Sequence, residues 1–184
     1  MSKLSLDQIV IVDVEATCWK KSPPLDQVSQ IIEIGACLLN TKTLEITKNA
    51  YFFVKPTKSE VSAFCTELTS ITPEMVAILG KSLKAACSWL VHEYGSYKRV
   101  WASYGDYDRN IFQRNCRDED VHYPFSNRHL NIKTLFALKS SLSREVGMAK
   151  ALEILNLSLT GTHHRAADDA YNIAKIAAWC LRSN

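Results

Sequence analysis

No uninterrupted apolar run in these 184 residues approaches the ~20 that a membrane-spanning helix needs, the longest early one being Ile9 to Val12, which excludes a helical membrane protein. Met1 to Ser5 carries no signal-peptide hydrophobic region, so a cytoplasmic location without a membrane partner is expected. The six cysteines (Cys18, Cys37, Cys65, Cys87, Cys116 and Cys180) include no Cys-x-x-Cys pair, which removes the zinc and dithiol redox readings and leaves reduced, mostly buried thiols. No block of one charge is present either: the net charge is +3 and the halves are nearly balanced, so no polybasic tail advertises nucleic acid or a membrane. Repeats, linkers and low-complexity segments are missing. With 47% hydrophobic and 22% charged residues the chain is not a disordered one. Its length fits one compact domain over 1–184, burying roughly 70% of its unfolded surface.

What is present reads first as strands and then as helices. Gln8 to Glu15 is a β-branched run of the kind buried on both sheet faces, ending in acids instead of a turn residue. After the loop Lys20 to Pro24, a second strand is expected over Gln30–Asn40, a hairpin turn over Asn40–Thr43, and a third strand over Ile46–Val54, making a meander. The period then turns helical: Ser59–Glu67, Thr72–Ile78 with Thr72 as N-cap and Pro73 at the first helical position, and Ser82–Tyr94. A fourth strand over Lys98–Ser103 and a fifth at Asn131–Ile132 alternate with helices at Arg109–Arg117 and Thr134–Ser140. Glu145–Leu155 and Ala167–Leu181 close the chain. This order implies an α/β domain, a mixed five-stranded sheet covered by helices on both faces.

Four acids face inward on these elements. Asp13 and Glu15, two apart on a strand, leave the same face, and a deeply apolar strand would not end so without something to neutralise them; a solvent-exposed strand end is the plainer alternative. At the strand-to-helix junction Trp101–Phe112, Asp108 shares a helical face with Ile111, Phe112 and Cys116, whereas Asp106 reads as an N-cap. On the last helix Asp169 lies on the apolar stripe of Ile173, Ile176, Ala177 and Cys180, while Asp168 falls on the wet side with Asn172 and Lys175 and favours the helix N-terminal dipole. His164, five residues before Asp169, is placed to act as a base; His92, His122, His129 and His163 read as structural or solvated. Four carboxylates and a histidine are the ingredients of a two-metal phosphoryl-transfer site, in which two cations ~3.5–4 Å apart bind the scissile phosphate. Four negative charges in one pocket call for two divalent ions, and all-oxygen ligands favour Mg²⁺ or Mn²⁺.

With these residues assembled, the sequence resembles the DEDDh 3′–5′ exonucleases of the proofreading-exonuclease superfamily. Val12-Asp13-Val14-Glu15-Ala16-Thr17 is similar to the first family motif, Tyr107-Asp108 to the second, and His164 with Asp169 to the third, in that order and over essentially the whole chain. Glu15–Trp19, Phe64–Thr69 and Gly105–Asp108 resemble the histone-mRNA and small-interfering-RNA 3′ exonuclease subgroup and its bacterial relatives. Ser70 stands where that stretch commonly has a glycine.

The resemblance implies a ribonuclease H-like fold and catalytic letters on Asp13, Glu15, Asp108, Asp169 and His164. The four acids would hold two Mg²⁺ ions, with Mn²⁺ able to substitute. It also implies that Phe64 and Tyr107 sandwich the terminal base and that the backbone near Ala16 and Thr17 holds the 3′-terminal sugar. Stacking of that kind is worth ~1–3 kcal/mol per base and tolerates any base. Lys20, Lys21 and Arg165 are candidate phosphate contacts, with solvated loop charge as the alternative. The expected function is stepwise removal of nucleotides from the 3′ end of single-stranded nucleic acid, RNA favoured, with release of nucleoside 5′-monophosphates. The alternatives are a DNA proofreading subunit and an inactive binding module, whose expected mark, a lost acid or histidine, is absent. The oligomeric state is left open.

Overall fold

The computed structural model describes residues 4–182. A five-stranded sheet has the order β3-β2-β1-β4-β5. Strands β1 (Ser5–Ala16), β2 (Ile31–Asn40) and β3 (Ile46–Phe53) form the expected antiparallel meander, and β4 (Arg99–Ser103) and β5 (His129–Asn131) add to it in parallel. The period-two alternation of β1 divides the core. Val10, Val12 and Val14 face one side, packed with Leu83 and Leu90 of α3 (Leu83–Tyr94) and with Ile111 and Phe112 of α4 (Tyr107–Asp118). Ile9 and Ile11 face the other, against α5 (Ile132–Lys139), α6 (Met148–Ile154) and α7 (Ala166–Leu181). Between β3 and α3, α1 (Ala63–Thr69) and α2 (Pro73–Leu79) cover a smaller cluster around Ile32, Phe53 and Cys65.

Several element ends differ from expectation, each for a capping reason. The helix expected over Ser59–Glu67 begins only at Ala63, because the Ser62 hydroxyl accepts from the Cys65 N–H at 3.0 Å, while the Ser59 hydroxyl is tied to the Val28 carbonyl at 2.6 Å. The one expected from Glu145 starts at Met148, with Gly147 as its extended N-cap. Asn131 ends β5 and caps α5, its Oδ1 accepting from the Thr134 N–H at 3.1 Å, so α5 begins two residues early. Ser70 ends α1 in the left-handed conformation at φ 62°, which accounts for the glycine common at that place. Among the described residues no helix is long and apolar enough to cross a membrane.

Candidate active site

Asp13 and Glu15 continue the row of Ile9 and Ile11 on β1, so they emerge toward α7 at the carboxyl end of the strand. Their antiparallel partners on β2 are Gly35 and Glu33. These two neighbours bring α7 in. A Cβ on Gly35 would lie 1.9 Å from the Ala166 carbonyl oxygen, so only glycine lets the first turn of α7 rest on the sheet beside Asp13. Glu33, fully buried, accepts from Arg165 Nη2 at 2.8 Å, from Arg165 Nε at 3.2 Å and from the Ala166 N–H at 2.9 Å. Asp169 follows about one turn later and is buried against the crevice. From the opposite face comes α4. The ladder between β1 and β4 has its last pair at Ile11 and Ala102, and beyond it Asp108 Oδ1 accepts the Val14 N–H at 3.1 Å.

Asp13, Glu15, Asp108, Asp169 and His164 thus meet at one cleft of about 260 Å³, walled also by Tyr104, Tyr107, Met148 and His163. Ligand atoms of Asp13, Glu15 and Asp169 lie within 4.8 Å of one another. Burial, then the charges of Asp108, Glu15, Asp169 and Glu33, holds the Asp13 carboxyl well above the usual carboxylate range. Burial followed by the charge of Asp169 pushes Glu15 up to about 8. Asp108 is raised to about 7, chiefly by burial. Burial raises Asp169 as well, opposed by its hydrogen bond from His163. Acids strained in this way lack a counter-charge, and hard divalent cations fit an all-oxygen donor set of this spacing.

His164 is half-buried, with Nδ1 3.9 Å from Glu15 Oε1 and its backbone N–H on Asp169 Oδ2 at 2.9 Å. Burial and then the neighbouring His163 lower its pKa, which favours the neutral imidazole. Its backbone is left-handed, φ 64°, a conformation rare for a side chain of this size and held here by the bond to Asp169. Tyr107, half exposed at the start of α4, has its hydroxyl 3.4 Å from Ser29 Oγ. Phe64 is half-buried on α1 and does not line the cleft of the acids. That helix is tied to the segment after β1, with Cys65 Sγ on the Ala16 carbonyl at 3.5 Å and Ser62 Oγ on the Cys18 carbonyl at 2.6 Å. Ala16 and Thr17 are buried; the Thr17 N–H donates to the Gln30 carbonyl at 2.8 Å and its hydroxyl accepts from the Gln30 N–H at 2.9 Å.

Four expectations are corrected. Arg165 is not a loop cation free for phosphate, because it is locked on Glu33; an acid inside the apolar run Ile31–Ile34 was the sequence signal that a buried partner exists. His163 is exposed yet not merely solvated: its Nδ1 sits 3.0 and 3.1 Å from the two oxygens of Asp169. Asp106 occupies the N-cap position without a cap bond, its Oδ1 pairing with Arg109 at 3.1 Å. Asn172 is fully buried instead of wet, and it ties the 160s loop to α7 through the Thr160 N–H and carbonyl at 3.0 and 2.9 Å. Lys20 and Lys21 are exposed in their loop, as expected.

A family model described as exonuclease (RNase T) matches residues 10–177. The nuclease domain of 3′hExo, a DEDDh family member solved bound to rAMP, is 31% identical and superposes with a TM-score of 0.79, over 98% of this chain and 94% of that one. The chain belongs to the DEDDh family of 3′–5′ exonucleases. Its sheet and flanking helices are the ribonuclease H-like fold of that family. Among curated relatives, human 3′-5′ exoribonuclease 1 is 34% identical over 96% of this chain and 53% of its own length, so this DEDDh chain spans about half of that relative. A structure described as 3′-end-specific recognition of histone mRNA stem-loop by 3′-exonuclease is 30% identical, with a TM-score of 0.84 over 97% of this chain and 65% of that one. DEDDh exonucleases depend on divalent metal ions.

Proposed function

We propose that this chain is a 3′–5′ exonuclease that removes nucleotides singly from the 3′ end of single-stranded RNA, and less readily of DNA, releasing nucleoside 5′-monophosphates. The observation that carries this reading is the convergence of Asp13 and Glu15 from β1, Asp108 from α4, Asp169 from the first turn of α7 and His164 from the loop before it on one cleft. The RNA preference is supported by the human relative, named a 3′-5′ exoribonuclease.

In this reading Asp13, Glu15, Asp108 and Asp169 hold two divalent ions, Mg²⁺ or Mn²⁺. When bound, these ions supply the positive charge that balances the attacking and leaving oxygens. Asp108 keeps one oxygen on the Val14 N–H, which orients its carboxylate into the cleft. His164 accepts the proton of the attacking water on a ring nitrogen, its lowered pKa leaving that nitrogen free at neutral pH. Tyr107, on the cleft, and Phe64, on α1 outside it, are the residues assigned to stack on the terminal base, and the backbone near Ala16 and Thr17 is assigned the 3′-terminal sugar. All five groups are present, so nothing favours an inactive binding module.

The test is product identity. Single-stranded RNA digested with Mg²⁺ should yield nucleoside 5′-monophosphates by chromatography, and Asp13→Asn or Asp169→Asn should abolish them. Nucleoside 3′-monophosphates, or unchanged yield in both variants, would refute the assignment.

A further inference from the structure

His163 has no task in the exonuclease chemistry, yet it stands on the rim of the cleft with its ring stacked on that of His164, centroids 4.0 Å apart at 18°. Ligand atoms of His163, His164 and Asp169 all lie within 4.8 Å of one another. This trio differs in kind from the acids beneath it. Two imidazoles and one carboxylate form a borderline-soft donor set, the type that binds Zn²⁺ tightly and Mg²⁺ poorly, whereas Asp13, Glu15 and Asp169 offer oxygen alone. A tetrahedral ion with Zn–N and Zn–O bonds of ~2.0–2.1 Å wants its ligands about 3.3 Å apart. His163 Nδ1 already lies 3.0 Å from Asp169 Oδ2, where an ion would replace the proton of that hydrogen bond, and as an exposed side chain its ring, now nearly parallel to that of His164, can rotate so that one nitrogen of each ring points at the ion.

We propose that His163, His164 and Asp169 form a zinc-class metal site at the mouth of the cleft, overlapping the all-oxygen set at Asp169 alone, whose occupancy switches the enzyme off. Three protein ligands leave the fourth position to water or a phosphate oxygen. Inhibition follows from the two residues shared with the reaction: an ion on His164 takes the lone pair that would receive the proton, and Asp169 is drawn toward the rim. Magnesium in excess would relieve this only in part: the two sites compete for Asp169, but Mg²⁺ binds imidazole poorly and does not displace the ion from His163 and His164. The metal site itself stands on geometry; only its inhibitory consequence rests on the exonuclease reading.

The experiment titrates the full chain with Zn²⁺ at saturating Mg²⁺ and follows RNA shortening, with Co²⁺ visible absorption as a binding readout independent of turnover. Wild type should be inhibited by Zn²⁺ far below the Mg²⁺ concentration and should give the intense bands of four-coordinate Co²⁺. Measured against its own rate without Zn²⁺, His163→Gln should need about tenfold more Zn²⁺ or beyond for the same fractional inhibition, and should lose the Co²⁺ bands. Asp13→Asn, inactive, should retain those bands. Equal Zn²⁺ sensitivity of His163→Gln and wild type, or absence of the Co²⁺ bands from wild type, overturns the site. If no RNA is shortened but the bands appear and depend on His163, the metal site holds and the exonuclease reading fails.

Discussion

Arg165 grips Glu33 with two parallel bonds, Nη2 to Oε1 at 2.8 Å and Nε to Oε2 at 3.2 Å, and so fastens the start of α7 to the central sheet one turn before Asp169. The guanidinium also lies 5.8 Å from the ring centres of Tyr51 and Phe53 on β3. A carboxylate as buried as Glu33 tolerates its charge only with this partner. Arg165→Met should therefore cost about 3 kcal/mol in urea unfolding. It should also lower activity through displacement of Asp169, and Glu33→Met in the same chain should restore part of the stability. A loss below about 1 kcal/mol would put the pair among exposed ion pairs of little consequence.

The raised acids make the metal-free protein pH-sensitive in a stated direction. In the unfolded chain Glu15 and Asp108 ionise near 4.5 and 3.8, whereas folded they hold protons up to about 8 and about 7. The folded state thus carries more protons between those limits, and stability falls as pH rises through them. His129, lowered to about 4, and His164, lowered by burial and by His163, act in the opposite sense until the unfolded histidines have lost their protons, about one pH unit above 6.5, so the window from about pH 7.5 to about pH 8.5 isolates the acids. With EDTA, Tm should drop across that window; added Mg²⁺ should raise Tm more at its upper end, since the ion takes ionised carboxylates. An equal Mg²⁺ effect at both ends would contradict this.

Asp13→Asn separates chemistry from folding. Removal of one buried acid from the cluster should leave the EDTA-treated protein at least as stable as wild type at about pH 8. It should also abolish the Mg²⁺-induced rise in Tm and lower turnover by about 10³-fold or more, the equivalent of the several kcal/mol that metal ions contribute. Thermal unfolding paired with a turnover assay checks both. A variant with undiminished turnover would remove Asp13 from the site.

Ser70 carries a left-handed backbone at φ 62° with no glycine to relieve it. Ser70→Gly should stabilise the protein by about 1 kcal/mol, whereas Ser70→Val should destabilise it. Urea midpoints decide; a destabilised glycine variant would mean that the serine side chain contributes more than its backbone costs.

Much of the cleft was legible because periodicity reports which way a side chain points. Asp13 and Glu15 follow Ile9 and Ile11 in the alternating row of β1, and Asp169 follows the helical stripe of Ile173, Ile176 and Ala177, so simple geometry already turned them inward. His163 escaped because its position depends on the left-handed turn at His164, an irregular loop to which no period applies. Glu33 and Gly35 were visible only as an acid and a glycine within an apolar strand; their purpose appears once α7 lies across them. Helix starts at Ala63 and Met148 were misplaced for a local reason, since Ser62 and Gly147 compete with several equally plausible caps nearby.

The most direct test is a time course on 5′-labelled single-stranded RNA and DNA of one sequence, with Mg²⁺, Mn²⁺ or EDTA, resolved at single-nucleotide steps. A ladder that shortens from the 3′ end, runs faster on RNA than on DNA and disappears with EDTA is the predicted result. Strands that stay intact with either ion, or that are cut internally without a 3′ ladder, would contradict the account.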